Sequence, residues 1–475
     1  MRTQRRCGAV RLFVVVALVS RAVAADTAHN VPAAARATLG RAIDFYHHRA
    51  ASHGGYVYYY SDDLSQRWGE GRASADTIFV QPPGTPSVGL AYLKAYEATG
   101  EQTALEAARA AAEALVYGQL QSGGWTQVIQ FAGGKKAGRY RNGHGGSWNA
   151  SSLDDGQTQS ALKLLALADR ALEFKHAAIH EAARYGFDAL LKAQFPNGAF
   201  PQVWTGPVES RPIVRAHYPD YDWRAEGRVK NYWDQYTLND GLAGTVAETL
   251  IVADGVYDDP RYRGALARLG DFLLLAQMPE PQPAWCQQYS AEMAPIWARK
   301  FEPPAVSGWE SQDAIRTLIT IARYTGEQKY LAPIPRALEY LRGSLLADGR
   351  VARFYELRTN TPLYMTADYQ LTYDDRDVPP HYGWKQPALL DELEQAYRDA
   401  RDGKPPALPA KLDISEARIR EIIEQLDPQG RWVSTYAGER LVGQPKFAPG
   451  FRYISSEIFC RNVEAIGEYL SQQQR

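Results

Sequence analysis

The sequence predicts an all-α fold in which helical hairpins stack into an α/α toroid, an incomplete barrel with long loops at one face. Amphipathic helical segments recur along the chain, and many of them are followed by a loop rich in glycine and aromatic residues. Five such loops end at Gln127, Gln202, Gln287, Glu356 and Tyr436, at intervals of 75, 85, 69 and 80 residues. A single hairpin cannot bury its apolar face, so a repeat of this kind predicts stacked hairpins. Because each loop follows the same type of helix, we expect the loops to meet at one face.

Each repeat consists of two predicted helices. In the first, apolar residues at three-to-four spacing predict a helix over 85–100, and strong helix formers predict a second over 103–121. Later first helices begin in DDGQTQ, NDGLAG and WESQDA, and each is followed by a second amphipathic segment. The proline-rich stretch 402–410 reads as a linker, after which residues 411–475 provide the closing helices.

The first residues have the pattern of a secretory signal peptide. Early arginines precede the apolar run LFVVVALV, and AVA at residues 22–24 is a small-residue cleavage site. We expect residues 1–24 to be removed, leaving a single toroid domain over 25–475 that is secreted or periplasmic. Since no later stretch has the roughly 18 apolar residues of a membrane span, we expect no membrane association after cleavage.

Composition limits the partners of the chain. The 475 residues carry a formal net charge of −1, which gives no global attraction for nucleic acid. An acidic polymer would have to be held by a local cluster of cations. We expect a monomer. After loss of Cys7 with the signal peptide, Cys286 and Cys460 form either one disulfide or two buried thiols.

Two first helices begin with similar acidic motifs. SLDDGQTQ contains Asp154 and Asp155, and YTLNDGLAG contains Asn239 and Asp240. These residues are either helix caps or, if the repeats are equivalent, three carboxylates at one face of the ring. Carboxylate oxygens suit a hard cation such as Ca²⁺, and they also suit acid/base catalysis.

Cations next to aromatic residues form the second candidate cluster. Arg299 and Lys300 lie in IWARKFE, whereas Arg353 and Arg358 lie in ARFYELR. An arginine presents a planar fork that matches a carboxylate at two points. These arginines are either solvated surface residues, paired with the nearby Glu302 and Glu356, or the rim of a groove that binds an acidic ligand.

The same blocks resemble the family 10 polysaccharide lyases, the pectic acid lyases. AWCQQYSAEMAPIWARKFEPPAVSGWES and RFYELRTNTPLY are similar to two specific family blocks, and LDDGQTQ, NGAFPQ and TLND are similar to shorter ones. The similarity runs from about residue 153 to residue 384. It implies an α/α toroid that cleaves polygalacturonate by β-elimination with Ca²⁺.

The resemblance also implies roles for individual residues. Asp154 and Asp155 would bind Ca²⁺, Asp240 would lie in the same cleft as a catalytic residue, Arg299 would be the catalytic base and Arg353 would hold a substrate carboxylate. Lys300 is a second candidate base, because an arginine has a pKa above about 12. The remaining candidate substrate contacts are Asn239, Arg358, Trp125, Trp204 and Trp285. The tryptophans are either sugar platforms or loop anchors in the core.

This sequence departs from the family pattern at several positions. Thr361 and Ala367 stand where the family has arginines, with Arg376 and Lys385 as possible replacements, and residues 206–233 form a long insertion. We therefore consider three functions. The first is a uronan lyase, identified by its unsaturated product. The second is an α/α-barrel glycoside hydrolase using Asp155 and Asp240, which would release reducing ends alone. The third is a non-catalytic protein that binds acidic polysaccharides.

Overall fold

The structure is a computed structural model that describes residues 30–134, 137–226, 231–405 and 413–473. The predicted signal peptide, residues 1–24, lies outside the described residues. The helices, in chain order, are α1 Val31–Phe45, α2 Thr85–Thr99, α3 Gln102–Tyr117, α4 Gln157–Ala171, α5 Ala177–Lys192, α6 Trp223–Glu226, α7 Leu242–Tyr257, α8 Pro260–Ala276, α9 Gly308–Thr325, α10 Ile334–Gly343, α11 Leu390–Arg401, α12 Glu416–Gln425 and α13 Ser456–Gln472.

Short strands connect the helices. They are β1 Tyr59–Ser61, β2 Arg67–Trp68, β3 Arg72–Ala73, β4 Thr77–Phe79, β5 Val128–Gln130, β6 Ser151–Ser152, β7 Val203–Trp204, β8 Tyr236–Thr237, β9 Gln288–Tyr289, β10 Val306–Ser307, β11 Val351–Ala352, β12 Phe354–Tyr355, β13 Pro362–Met365, β14 Leu371–Thr372, β15 Lys385–Gln386, β16 Val433–Thr435 and β17 Arg452–Ser455. The sequence analysis predicted none of these strands, because each is only two to four residues long.

The described residues form two compact units. The first comprises residues 30–75, 87–111 and 413–473. In it, helices α12 and α13 pack against α1, and the antiparallel sheet has the strand order β16-β17-β1-β2-β3. Its core is aromatic: the ring of Tyr46 stacks on that of Phe459 with centroids 3.8 Å apart. The predicted closing segment, 411–475, therefore provides two helices and also two strands.

The second unit comprises residues 76–86 and 112–405 and contains the stacked hairpins. Helix α4 pairs with α5, α7 with α8, and α9 with α10. The first helices also pack on one another, α4 on α7, α7 on α9, and α9 on α11. This is the predicted arrangement, so the all-α fold class with stacked helical hairpins of an α/α toroid is confirmed.

Three equivalent strand pairs determine where the first helix of three hairpins begins. Strand β6 precedes α4 and pairs with β7, β8 precedes α7 and pairs with β9, and β10 precedes α9 and pairs with β12. In every case the strand before the helix pairs antiparallel with the loop of the following repeat. The ladders continue into the turns, where Leu153 N donates to Gln202 O (2.8 Å) and Leu238 N donates to Gln287 O (2.9 Å). Each helix therefore begins at a fixed position relative to the next loop.

Both cysteines of the described chain are buried free thiols. Burial raises the pKa of Cys286 and of Cys460 well above its ordinary value. The disulfide alternative is therefore not realised in this structure. Among the described helices, none combines the length and apolar character that crossing a bilayer requires.

The contact between Gly198 and helix α8 gives a test of the hairpin packing. Gly198 has a φ of +93°, and a Cβ at this position would lie 1.8 Å from the backbone oxygen of Arg268. We expect Gly198→Ala to lower the free energy of unfolding by more than about 3 kcal/mol, because backbone strain and a backbone clash add. Urea unfolding followed by circular dichroism measures the change.

Gly326 is the matched control for this substitution. It also has a positive φ, +79°, but a Cβ there would meet nothing within 4 Å. Gly326→Ala should therefore cost only the left-handed strain, about 1–2 kcal/mol. Equal losses for the two variants would contradict the close packing of the loop on α8.

Candidate functional site

Two nearly identical turns carry the acidic motifs. Residues Asp154–Gly156 and Asn239–Gly241 form short 3₁₀ turns immediately before α4 and α7. Asp155 and Asp240 have φ values of 45° and 54°, a left-handed conformation that aspartate tolerates better than most residues. The glycines that follow occupy the N-cap positions without a side-chain cap. The aspartates are therefore not the residues at the helix caps, which leaves their carboxylates for another role.

The turns bring three carboxylates together. Asp154, Asp155 and Asp240 each offer one oxygen, and these oxygens lie within 4.8 Å of one another. Oxygen ligands lie about 2.3–2.6 Å from Ca²⁺, so two ligands of one ion can be at most about 5 Å apart. The spacing and the all-oxygen donor set thus fit Ca²⁺. The sequence placed Asp154 and Asp155 in a metal site, whereas it assigned Asp240, the third member, to catalysis.

Side-chain amides hold each carboxylate. Gln202 Nε2 donates to Asp154 Oδ1 (2.7 Å). Gln81 Nε2 donates to Asp155 Oδ2 (3.0 Å), and Asn239 Nδ2 donates to Asp240 Oδ2 (2.6 Å). These neutral donors orient the carboxylates, as hydrogen-bonding partners around metal ligands commonly do. The sequence analysis missed Gln81 and Gln202, although Gln202 ends one of the repeated loops.

The Asp240 carboxyl has a raised pKa. Burial raises it to about 8, the neighbouring Asp154 and Asp155 add to the shift, and Arg353 and Arg299 oppose it. The side chain is still 27% exposed. The cluster therefore holds a proton at neutral pH when no cation is bound, and a bound cation would displace that proton.

Arg353 is buried beside Asp240. Its Nη2 donates to Glu310 Oε1 (2.6 Å) and to Asn239 Oδ1 (3.2 Å), and it lies 3.7 Å from Asp240 Oδ1. Burial opposes the charge, but Glu310, Tyr382 and Asp240 outweigh it, so the pKa of Arg353 is raised. The guanidinium is therefore a fixed cation at the edge of the aspartate cluster.

Arg299 lies on the other side of Asp240. Its Nη2 is 3.7 Å from Asp240 Oδ2, and Glu302 accepts from its Nε (2.9 Å) and its Nη2 (2.6 Å). The expected pairing of Glu302 with Arg299 is confirmed. Burial would lower the pKa of Arg299, but the Glu302 carboxylate outweighs it and the pKa is raised. Paired with Glu302, Arg299 is thus a cation rather than a base.

Other predicted cations lie elsewhere. Lys300 is exposed, with its Nζ 3.5 Å from the centroid of the Tyr369 ring, and Arg358 lies over the ring of Tyr218 at 4.5 Å. Among the described residues, the cations that lie next to Asp240 are Arg299 and Arg353 rather than Lys300 or Arg358. Both remain predictions as site residues.

The expected pairing of Glu356 with Arg353 is wrong. Glu356 instead accepts from Arg224 of the insertion (Nε, 3.2 Å) and from the hydroxyl of Tyr373 (2.7 Å). The possible replacements for the family arginines are also engaged: Lys385 pairs with Asp375, and Arg376 pairs with Asp374. Both remain predictions as replacements for the arginines that the resemblance places at Thr361 and Ala367.

The predicted tryptophan contacts need correction. Trp125 and Trp285 are fully buried, and their indole nitrogens donate to the backbone oxygens of Leu115 (2.8 Å) and Leu273 (2.9 Å). A ring without exposed surface cannot stack on a sugar, so both are loop anchors. Trp204 donates to Ser122 O (2.9 Å) and is only 4% exposed, but it lines an open groove that also reaches Asp154.

Comparison with known proteins gives a family match over part of the chain. Residues 129–329 match the model of the pectic acid lyase family, which confirms the resemblance and the prediction of a pectate lyase-like enzyme. A search of curated proteins gives no match.

Similar solved structures include polysaccharide lyases and epimerases. The family 10 polysaccharide lyase from Cellvibrio cellulosa is 18% identical, with 65% of this chain and 94% of that chain covered and a TM-score of 0.46. Its D189A mutant in complex with trigalaturonic acid is 17% identical, with coverages of 67% and 97% and a TM-score of 0.46. The cellobiose 2-epimerase from Spirochaeta thermophila is 14% identical, with coverages of 93% and 97% and a TM-score of 0.47.

The raised pKa of Asp240 predicts how stability depends on pH without Ca²⁺. A folded-state pKa of about 8 exceeds the unfolded value of about 3.9, so the folded state binds this proton more tightly. The contribution to stability is complete below about pH 4 and is lost as the pH rises through about 8. We expect Asp240→Asn to flatten this part of the pH profile in urea unfolding with a chelator present.

Asp313 provides the control for this experiment. Burial raises its pKa to about 6, so its contribution should be lost about two pH units lower than that of Asp240. Asp313→Asn should therefore leave the slope between pH 6.5 and 8 intact. A profile of Asp240→Asn that runs parallel to that of the unsubstituted protein up to pH 8 would contradict the assignment.

Proposed function

Because residues 129–329 match the pectic acid lyase family, we propose that this protein is an exported enzyme that cleaves a uronic-acid polymer by Ca²⁺-assisted β-elimination. Polygalacturonate is the proposed substrate backbone. One observation carries the proposal: Asp240 closes a group of three carboxylates and lies 3.7 Å from both Arg299 and Arg353. Such a site can hold a cation and an anionic sugar side by side.

The aspartates and arginines have distinct tasks in this proposal. Asp154, Asp155 and Asp240 would hold Ca²⁺, which, when bound, would polarise the uronate carboxylate and make the adjacent C5 proton more acidic. Arg353, held in place by Glu310 and Asn239, adds a fixed positive charge where negative charge develops on that carboxylate. Because it is already oriented, it needs no rearrangement as the charge forms.

The elimination itself needs a base and a leaving group. The base takes the C5 proton, the C4–O4 bond breaks with its electron pair leaving on O4, and a C4=C5 double bond remains on the new non-reducing end. The resemblance assigns the base to Arg299. Glu302 and Asp240 raise the pKa of Arg299, so this residue would act as a base only where a bound cation offsets the charge of Asp240. Lys300, the other candidate, lies exposed over Tyr369.

The geometry does not favour the hydrolase alternative. An inverting glycosidase needs its two carboxyl groups about 6.5–9.5 Å apart to admit a water molecule. Asp155 and Asp240 have oxygens within 4.8 Å of each other, which is shorter than this spacing. Two carboxylates this close, with Asp154 beside them, suit one shared cation better than separate acid and base roles.

Lyase activity on polygalacturonate with Ca²⁺ is the direct test. We expect ultraviolet absorbance of the unsaturated product to rise, and a chelator to abolish the rise. Asp155→Asn and Asp154→Asn should each lower activity by about 10- to 100-fold at limiting Ca²⁺, because a carboxylate ligand becomes neutral. Excess Ca²⁺ should restore part of it.

Asp258→Asn is the matched control for these variants. Asp258 also has a left-handed backbone, with a φ of 47°, but it lies at the other end of α7 and is exposed. Its activity should equal that of the unsubstituted protein. Failure to form unsaturated product on any uronan from neutral to alkaline pH would overturn the proposal, and new reducing ends alone would select a hydrolase.

Arg299→Lys tests whether Arg299 takes the proton. Lysine has an ordinary pKa of about 10.4, lower than that of arginine, so a lysine base becomes deprotonated at lower pH. We expect the acidic limb of the profile of kcat/KM to move toward neutral pH, with activity retained above that of Arg299→Ala. Arg353→Lys is the control, since a fixed cation should change the rate without moving the limb. If the acidic limb of the kcat/KM profile does not move in Arg299→Lys, the base is another residue.

A further inference from the structure

We propose that the groove beside Asp154 is a subsite for an uncharged sugar ring, which deepens and rests on the function proposed above. We call it the tryptophan groove. It encloses about 780 Å³ and is lined by Ser147–Ala150, Ser152, Asp154, Phe195, Pro201–Glu209, Arg211 and Tyr232–Asp234. Most of its wall comes from the loop before β6 and from the insertion at 206–233, which the family motifs do not include.

Two tryptophans on the rim expose large aromatic surfaces. Trp148 is 57% exposed and Trp233 is 40% exposed, unlike the buried loop anchors. The backbone of Trp148 accepts from Arg139 N (2.6 Å), and the ring of Trp233 meets that of Tyr232 edge-on at 5.7 Å. An exposed indole is a suitable platform for the apolar face of a pyranose ring.

The polar wall of the groove has a buried acceptor to offer. Gln202 is 5% exposed, and its Nε2 is committed to Asp154 (2.7 Å). The amide must point its nitrogen at the carboxylate, so its Oε1 is directed elsewhere. Among the described residues this oxygen has no hydrogen-bond partner. An unsatisfied buried oxygen costs about 1–3 kcal/mol, and this oxygen would accept from a sugar hydroxyl after a small turn of the Gln202 side chain opened it to the groove.

The charges of the groove select against a uronate. The described residues that line it include the carboxylates of Asp154, Glu209 and Asp234 and a single guanidinium, Arg211. Arg211 is already engaged: it donates to Asp234 O (3.2 Å) and lies over the ring of Phe195 at 4.5 Å. Even with Asp154 counted as a cation ligand, Glu209 and Asp234 outnumber Arg211, so a sugar carboxylate entering here would meet net negative charge. Repulsion of like charges is an effective means of discrimination.

The opposite side of the aspartate cluster has the reverse character. Arg299 and Arg353 both approach Asp240, whereas the tryptophan groove ends at Asp154. The two sides therefore favour different neighbours in one polymer: a uronate at the arginines and an uncharged pyranose in the groove. The substrate class is a uronan interrupted by neutral sugars or by methyl-esterified uronates.

Binding measurements separate the two sides without requiring cleavage. The probes are tetragalacturonate, its methyl ester and its carboxyl-reduced derivative, titrated by calorimetry with a chelator present to prevent turnover. Trp148→Ala and Trp233→Ala should each weaken binding of the uncharged probes by about five- to tenfold, the scale of a lost aromatic contact. Glu209→Gln should strengthen binding of tetragalacturonate by about threefold and leave the carboxyl-reduced probe unaffected.

Phe174→Ala is the matched control, because Phe174 is 46% exposed but does not line the groove. It should leave every affinity unchanged. Binding of the carboxyl-reduced probe supports a neutral sugar as the occupant, and binding of the methyl ester alone supports an esterified uronate. The subsite is overturned if Trp148→Ala weakens the binding of tetragalacturonate as much as it weakens the binding of the uncharged probes. It is also overturned if Trp148→Ala weakens the binding of no probe. Absence of lyase activity would overturn the proposed function and leave these binding results in force.

Discussion

Three carboxylates held within 4.8 Å of one another are the constraint around which the site is organised. Bringing like charges so close is unfavourable, and the raised pKa of Asp240 is the direct expression of that repulsion together with burial. Arg299 and Arg353 offset part of it from 3.7 Å on either side. In the proposed function, the remaining negative charge is what would attract a divalent cation.

The repeat explains how a chain can impose this arrangement. Helices α4, α7 and α9 each begin after a strand that pairs with the next repeat's loop, so their first residues share one face. The turns before α4 and α7 place left-handed aspartates there. The start of α9 has Glu310 instead, and this carboxylate binds Arg353. The starts of α4 and α7 thus supply the carboxylates of the cluster, whereas the start of α9 supplies the carboxylate that binds Arg353. A periodic fold produces an asymmetric site in this way.

The sequence was informative where function depends on local pattern. Helix periodicity located the hairpins, and the DDG and NDG motifs located the cluster, because both depend on residues close in the chain. It was uninformative where the outcome depends on distant packing. The motifs GGW and PAW place Trp125 and Trp285 close behind a glycine or a proline. Only the packing shows that these two tryptophans are buried whereas Trp148 is exposed. The partner of Glu356 is Arg224, 132 residues away, and no local pattern indicates it.

The insertion at 206–233 contacts the segment in which the arginines of the family pattern are missing. Arg224 anchors it to Glu356, and Glu356 N donates to the backbone oxygen of Thr361 (2.8 Å), one of the positions where an arginine is missing. The same insertion supplies Trp233, Arg211 and Glu209 to the tryptophan groove. Compared with the family pattern, the segment at 361–367 lacks two cations. The insertion that contacts this segment adds aromatic rings and carboxylates. Both changes lower the attraction of the site for a continuous row of uronates, so a substrate with fewer charges accounts for them together.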